Sequence, residues 1–429
     1  MEKKRMLVIS IDAMVFEDLE YFKTLPNFKE YSNGSSLVQR MLTVYPSLTY
    51  PAHVSIITGT YPDKHGVTHN EIYKIYEGPT IWEWYGKAIK VPTLFELAKK
   101  KGYTTANVNW PVTAGLDIDY SIPEIWPLYE KEDPRPLFEK VGSAPIIDTI
   151  FEKNRKYWDW KNHPGYEVFA TACAVDIIKT YKPEFMAIHL AETDHERHAN
   201  GVFSNYLRKA IDLTDQQLGD IFNALKEAGV YEDTNIIILG DHGQMDVHKV
   251  SCLNVLFEKE GLIKLNSDGH IESYDAYCRS AGLSAHIMLS DPDNKQLSDK
   301  VYSLLKEWQK EPSYGIGEIY TKEEAKEKFH LEGPFSFVLE TDGCTSFGAS
   351  VHEPIVRAVR NEDYKFSRAT HGYNPAKGPQ PPFIVKGPDF ANNVEIERAS
   401  TVDEAPTIAK VLGIEIPDPD GKILTELLK

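Results

Sequence analysis

Residues able to hold divalent cations follow directly on apolar runs in this chain. The run at 7–11 delivers Asp12, the run at 235–239 passes through Gly240 into Asp241 and His242, and the run at 185–190 leads to Asp194 and then His198. In an open parallel sheet, ligands gather beyond the carboxyl ends of the strands, so these are the places where chemistry belongs. Asp194 and His198 are four residues apart, and one helical turn would set both on one side, where they could share a cation. Asp241 and His242 are adjacent, which suits a sharp turn. Oxygen and imidazole donors without thiolate fit zinc best, with manganese or iron as alternatives. A single Asp or His at a strand end is more often a cap or a satisfied surface group. Three such ends, two of them with a nearby histidine, point to a metal centre.

The segment 45–59 is the second informative stretch. Pro51 suits a first helical turn and Gly59 its end, so Thr49 would stand just before a helix whose N-terminal N–H groups face outward as a seat for phosphate. A divalent cation can deprotonate a threonine hydroxyl, as it does water, and so make it a nucleophile. From these residues alone, a plain helix cap is the commoner role for Thr49, and both readings stand. His65 and His69 have metal-like spacing, but Gly66 and the turn-like 62–64 favour a structural role. His53 and His195 are likewise not taken as ligands.

The elements that must position these residues are legible as alternating patterns. Short runs rich in β-branched residues at 7–11, 105–108, 185–190 and 235–239 predict buried parallel strands. A helix is predicted over 94–101, ending at Gly102. Another carries Leu207, Ile211, Leu218, Ile221, Phe222 and Leu225 on one face and stops at Gly229. This alternation predicts an α/β fold, a doubly wound and mostly parallel sheet sandwiched by helices. Residues 115–165, rich in Pro, Trp and Tyr, predict an irregular excursion. Residues 251–366, with a strand near 285–289 and a charged helix near 295–309, predict a cap-like α+β insertion. Residues 1–250 and 367–429 would then form the core, closed by a helix at 401–412 that ends at Gly413.

Composition limits the function. With 429 residues and 42% hydrophobic content the chain can bury a large core. Lys plus Arg number 47 against 64 Asp plus Glu, a net charge of -17 that argues against tracking a nucleic-acid polymer. A small phosphate ester stays open, because metals and helix N-termini bind phosphate locally. The four cysteines form no C-x-x-C pair and signal neither a disulfide framework nor a thiolate zinc site. The apolar run that succeeds the charged first residues ends at Asp12. It is too short for a signal peptide or a membrane span, so cytoplasmic residence without membrane association is the expectation.

Taken together and in order, six motifs resemble the alkaline phosphatase superfamily: Asp12, the Thr49 segment, 58–66 (Thr-Gly-Thr-Tyr-Pro-Asp-Lys-His-Gly), Asp194-x-x-x-His198, 240–243 (Gly-Asp-His-Gly) and 370–373 (Thr-His-Gly-Tyr). The branch they are most similar to is the nucleotide pyrophosphatase/phosphodiesterases, or type I phosphodiesterases. The closing segment 402–413 also resembles the superfamily's last helix. The resemblance implies an alkaline-phosphatase-like fold and two divalent ions, zinc by preference. One would be bound by Asp194, His198 and His371, the other by Asp12, Asp241, His242 and the Thr49 oxygen. Nothing local singles out His371. The resemblance further implies that Thr49 attacks phosphorus, that Asn70 binds a non-bridging phosphoryl oxygen, and that water hydrolyses a phosphothreonine intermediate with net retention. The implied substrates are small nucleotide-type diesters or pyrophosphates.

The sequence departs from that pattern in places. Ala13 stands where Gly is frequent, and Leu48 and Ala52 flank the nucleophile where Lys and Asn are frequent in eukaryotic members. The 105–111 segment keeps a Trp-Pro pair, including Trp110, but lacks the Lys and Arg that some monoesterase relatives use to grip extra charge, which favours diesters. A phosphomonoesterase or phosphonate hydrolase of the same superfamily is the alternative. Sulfatases are disfavoured, because the formylglycine precursor and its arginine are missing, and a binding protein without turnover is disfavoured by the complete ligand set. The aromatic stretch 73–85, with Tyr76, Trp82 and Trp84, is expected with Trp110 either to stack on a planar leaving group or to fill the core.

Overall fold

Side-chain alternation along the first strand, β1 (Arg5–Ile11), sets the layers. Leu7, Ile9 and Ile11 enter one apolar cluster while Met6 and Val8 enter another on the opposite face. The computed structural model describes the chain except for residues 1–2, 76–79 and 361–367. Tyr76 therefore lies outside the described residues, as does the junction at 361–367 between the 251–366 segment and the C-terminal part of the core.

The central sheet has eight strands. After β1 come β2 (Ser36–Leu42), β3 (Thr105–Val108), β4 (Tyr120–Ile122), β5 (Phe185–Leu190), β6 (Thr234–Leu239), β7 (Phe383–Lys386) and β8 (Glu395–Ser400). Their spatial order is β8-β2-β7-β6-β1-β5-β3-β4, and all run parallel except β7, which is antiparallel to both neighbours. The strands β1, β5 and β6, which precede the candidate ligands, are the adjacent middle of the sheet, so their carboxyl ends open on one place. The predicted strands at 105–108 and 185–190 match observed boundaries, and those at 7–11 and 235–239 are each extended at their start.

Helices cover both faces. The helices Gly165–Tyr181 and Leu207–Glu227 pack on the Leu7–Ile9 side, joined by Ile188, Ile236 and Ile238. On the other side Ile56, Leu94, Phe95, Ile408 and Leu412 pack on Met6, Val8, Ala187 and Ile237. The helix Leu94–Lys100 starts with a capping box between Thr93 and Glu96, and Glu404–Leu412 ends at Gly413 with φ +64.

A second, four-stranded antiparallel sheet lies between β6 and β7 in sequence. Its strands are Ala276–Ser280, Ser284–Leu289, Phe337–Thr341 and Ile316–Thr321, in that spatial order. With the helix Lys295–Trp308 it has an apolar core of its own, including Ile287, Val301, Leu305 and Leu339, to which Tyr45 also belongs. No helix among the described residues is long and apolar enough to cross a membrane.

Candidate active site

Asp12 follows β1, with its N–H bonded to the Leu190 carbonyl at 2.8 Å and its own carbonyl accepting the Thr193 hydroxyl. Its Oδ2 meets His189 Nε2 at 3.1 Å, and its Oδ1 lies 3.5 Å from His242 Nε2. Asp241 follows β6 and Gly240. Its Oδ1 accepts the Ala13 N–H at 2.9 Å, and its Oδ2 is 3.2 Å from the same His242 nitrogen. Asp12 Oδ1 and Asp241 Oδ2 are buried and have no hydrogen-bond partner. Burial first, and then the neighbouring carboxylates Asp194 and Asp12, push Asp12 and Asp241 up to about 7. Two buried carboxyls, each with one oxygen secured and the other unpaired, are what a cation site requires of its ligands.

Asp194 lies in the first turn of the helix Glu192–Asn200 and His198 in its last, one turn apart. His198 Nε2 is 3.3 Å from Asp194 Oδ2, and Nδ1 bonds the Ala369 carbonyl at 2.8 Å. His371 Nε2 is 3.9 Å from Asp194 Oδ1, and its Nδ1 meets the Ser47 carbonyl at 3.2 Å. Because a carbonyl can only accept, Nδ1 carries the proton in both rings, and Nε2 is the nitrogen turned toward Asp194, as metal-ligating histidines are held. Burial alone would raise the Asp194 carboxyl, but His198, His371 and His242 hold it well below the usual range.

The donors form two groups in which all ligand atoms lie within 4.8 Å of one another: Asp194, His242 and His371, and Asp12, Asp241 and His242. His242 belongs to both, and its ring stacks on His371 at 4.2 Å between centroids. His198, which the resemblance places with Asp194 and His371, is not part of the first group, although its Nε2 lies 3.3 Å from Asp194 Oδ2. The unpaired oxygens, the backbone-fixed tautomers and the all-oxygen-and-nitrogen donor set fit a pair of divalent ions.

Thr49 opens the helix Thr49–Thr58. Leu48 is its N-cap and has no side chain able to cap, while the Thr49 hydroxyl meets His242 Nε2 at 3.1 Å. The plain-cap alternative for Thr49 is thereby removed. The expected phosphate seat is narrowed to the Thr49 N–H, the first-turn donor for which the structure gives no acceptor. The Tyr50 N–H is taken by Asn70 Oδ1 at 2.9 Å, Pro51 has none, and the Ala52 N–H bonds the Leu48 carbonyl. Since an N–H can only donate, that contact fixes the Asn70 oxygen and turns its amide nitrogen the other way.

The aromatic side chains separate. Trp84 and Trp110 are core residues, 4% and 0% exposed, so neither offers a face to a ligand. The rings of Trp110 and His53 meet edge to face, with centroids 4.9 Å apart. Trp82 is half-buried and packs on Tyr50 at 5.3 Å and on Trp126 at 5.4 Å, keeping an exposed surface. His53 is a scaffold, bonding the Thr49 carbonyl at 2.8 Å and Ser10 Oγ at 2.9 Å, and His65 bonds Ser55 Oγ at 3.0 Å. His69 bonds the Ser280 carbonyl at 2.9 Å, and His195 stacks on His163 at 3.7 Å. Ala13, where Gly is frequent, has φ +56, a conformation that explains the preference.

Sequence reasoning missed His189, Glu124, Gln244 and Ser47. Gln244 donates from Nε2 to both the carbonyl and Oδ1 of Asp194, and Ser47 ties the His371 loop. A histidine as the penultimate residue of a fully buried strand was the available signal for His189.

The family model described as type I phosphodiesterase/nucleotide pyrophosphatase matches residues 6–374. The chain belongs to this family. Among curated members, the ectonucleotide pyrophosphatase/phosphodiesterase family member 1 of Rattus norvegicus is 23% identical over 99% of this chain and 42% of its own length. The venom phosphodiesterase of Naja atra is 23% identical over 94% of this chain and 43% of its own length. The chain thus spans about two fifths of the length of these phosphodiesterases. Human ectonucleotide pyrophosphatase/phosphodiesterase 5 matches with a TM-score of 0.70 and 18% identity over 99% of this chain and 100% of that one. The murine protein, solved as an inactive threonine-to-alanine variant in complex with AMP, matches with a TM-score of 0.69 and 18% identity over 100% of both chains. At that identity the likeness establishes the shared α/β fold with its mostly parallel sheet. Relatives that are ectoenzymes or venom components by name lend no support to cytoplasmic residence.

Proposed function

We propose that this chain hydrolyses phosphodiester or pyrophosphate bonds in small nucleotide-type substrates, with Thr49 as nucleophile at a two-zinc site. The observation that carries the reading is the Thr49 hydroxyl 3.1 Å from His242 Nε2, beside the unpaired oxygens of Asp12 and Asp241. Asp194, His198 and His371 would hold one ion, and Asp12, Asp241, His242 and Thr49 the other. Such a pair supplies charge that lowers the hydroxyl pKa and stabilises the departing oxygen. Thr49 Oγ forms the bond to phosphorus as the ester oxygen leaves with the bonding electrons, and Asn70 Nδ2 donates to a non-bridging oxygen. Water then cleaves the phosphothreonine, restores the hydroxyl and gives net retention. We further propose that the described part of the inserted segment, 251–360, acts as a cap over this site, with Trp82 facing the leaving group. The supporting facts are the family, the donor geometry and the absence of Lys and Arg from 105–111.

The deciding experiment compares bis-p-nitrophenyl phosphate with p-nitrophenyl phosphate, with and without chelator, beside Thr49→Ala. Preferred diester turnover that chelator and Thr49→Ala both abolish is the expected result. Faster monoester turnover would favour the phosphomonoesterase alternative, and activity that survives chelation would end the metal mechanism.

A further inference from the structure

Asp12 is held at its backbone from two sides, by Leu190 and Thr193, so the remaining freedom of its carboxylate is rotation about its own side-chain bonds. A neighbour near the carboxyl end of β5 removes that freedom. His189 is 3% exposed and places Nε2 at 3.1 Å from Asp12 Oδ2. Its Nδ1 faces Glu124 Oε2 at 3.2 Å and the Asn109 carbonyl at 3.3 Å, and its ring lies 4.4 Å from that of His53, tilted 64°. Both ring nitrogens therefore face acceptor oxygens, and the ring bridges two acidic side chains.

Glu124 is 7% exposed and has a second partner, the Tyr50 hydroxyl, which donates to Oε1 at 2.9 Å. Tyr50 is fully buried, comes directly after Thr49 in the chain, and gives its N–H to Asn70. A continuous buried series thus runs from Tyr50 through Glu124 and His189 to Asp12. Burying Glu124 is costly unless its oxygens are bonded, and both bonds serve to aim His189. With Oδ2 pinned, Asp12 is left with Oδ1 directed at His242 Nε2, 3.5 Å away.

We propose that His189, backed by Glu124 and Tyr50, is a positioning residue that fixes the Asp12 carboxylate in the orientation a divalent cation requires. The proposal rests on the reading of Asp12 as a metal ligand. Ligating carboxylates are commonly oriented by an outer hydrogen bond, and loss of such a bond weakens metal binding about ten- to a hundredfold. The partners of His189 are Asp12, Glu124, Asn109 and His53, and Thr49 is not among them.

The test is stepwise zinc titration of the metal-free full chain against a chromophoric chelator. Wild type is expected to take up two zinc ions. His189→Leu should weaken one step about ten- to a hundredfold and leave the other unchanged, while His189→Gln, which keeps a donor, should recover part of the loss. Tyr50→Phe removes one remote hydroxyl and should weaken the same step about two- to tenfold, which keeps the question open to test if His189→Leu does not fold. Unchanged zinc affinities in folded His189→Leu, or in Tyr50→Phe, overturn the proposal. Equal weakening of both steps also overturns it, since that marks a general structural role. Wild type that binds no zinc would instead defeat the two-metal reading itself.

Discussion

Thr49 Oγ1 and His242 Nε2 lie 3.1 Å apart, and that nitrogen is also within 3.5 Å of Asp12 Oδ1 and 3.2 Å of Asp241 Oδ2. One imidazole nitrogen thus marks where a hydroxyl and two unpaired carboxylate oxygens converge. Thr49→Ala should lower kcat/KM on a diester by roughly three orders of magnitude or more, since the attacking oxygen is lost. Thr49→Ser keeps that oxygen and should retain measurable turnover with a phosphoserine trapped by acid quench and seen by mass spectrometry. Comparable kcat for Ala and Ser variants would remove the covalent step.

A second prediction concerns the loop that carries His371. Gly372 has φ +91 and gives its N–H to the Ser47 carbonyl, and a Cβ there would meet the Ala281 carbonyl oxygen at 1.7 Å. Ala281 belongs to the turn between two strands of the second sheet, and the neighbouring Leu283 N–H bonds the His371 carbonyl at 2.9 Å. Gly372→Ala should therefore cost about 2–3 kcal/mol in denaturant unfolding and also weaken zinc uptake. An alanine variant with wild-type stability and zinc affinity would show that this loop is not locked by the second sheet.

These contacts explain why the site was only partly legible in the sequence. Asp12, Asp241, His242, Asp194 and His198 sit at strand ends or within about two helical turns of them, so local pattern and the parallel-sheet rule were enough to nominate them. His371 is placed by backbone contacts with Ser47 and Leu283, which are distant in sequence and leave no periodic trace. The sheet's parallel middle was readable because its strands are buried runs, whereas β8, with half of Glu395–Ser400 exposed and charged and none of it buried, carries little apolar pattern. Tertiary packing also decided the tryptophans. Trp84, Trp110 and Trp82 share a residue type, but only the last keeps an exposed surface.

Ala13 provides a test on the backbone. At φ +56 an alanine bears roughly 1 kcal/mol of strain, yet its N–H must reach Asp241 Oδ1 at 2.9 Å. Ala13→Gly relieves that strain while freeing the unfolded chain, so a net gain of about 0.5 kcal/mol is expected, read as a higher urea midpoint. A lower midpoint would mean that the unfolded-state entropy outweighs the strain.

Trp82 and Trp84 should respond differently to truncation. Trp84→Ala opens a core cavity and should cost about 3–5 kcal/mol without changing the ratio of nucleotide to non-nucleotide diester turnover. Trp82→Ala should be milder in stability and should lower that ratio. If Trp82→Ala leaves the ratio unchanged, stacking on the leaving group is to be dropped.

Glu340 gives a pH prediction away from the metal ligands. It lies fully buried on the strand Phe337–Thr341, accepts the Asn374 N–H on both oxygens at 3.1 Å, and has Lys377 Nζ at 3.7 Å. Burial pushes its carboxyl up from 4.5 to about 7, only partly offset by the Asn374 N–H, Tyr45 and Lys377. Because the folded state holds this proton more tightly than the unfolded chain, stability is unaffected below the unfolded value and falls as pH rises from 4.5 through about 7. Above that window the loss is on the order of 3 kcal/mol. Glu340→Gln keeps an acceptor for Asn374 without the charge, so it should gain on wild type between pH 5 and pH 8. Urea midpoints of both proteins in chelator at these two pH values make the comparison. Parallel pH dependences would show that Glu340 does not ionise across this range in the folded protein.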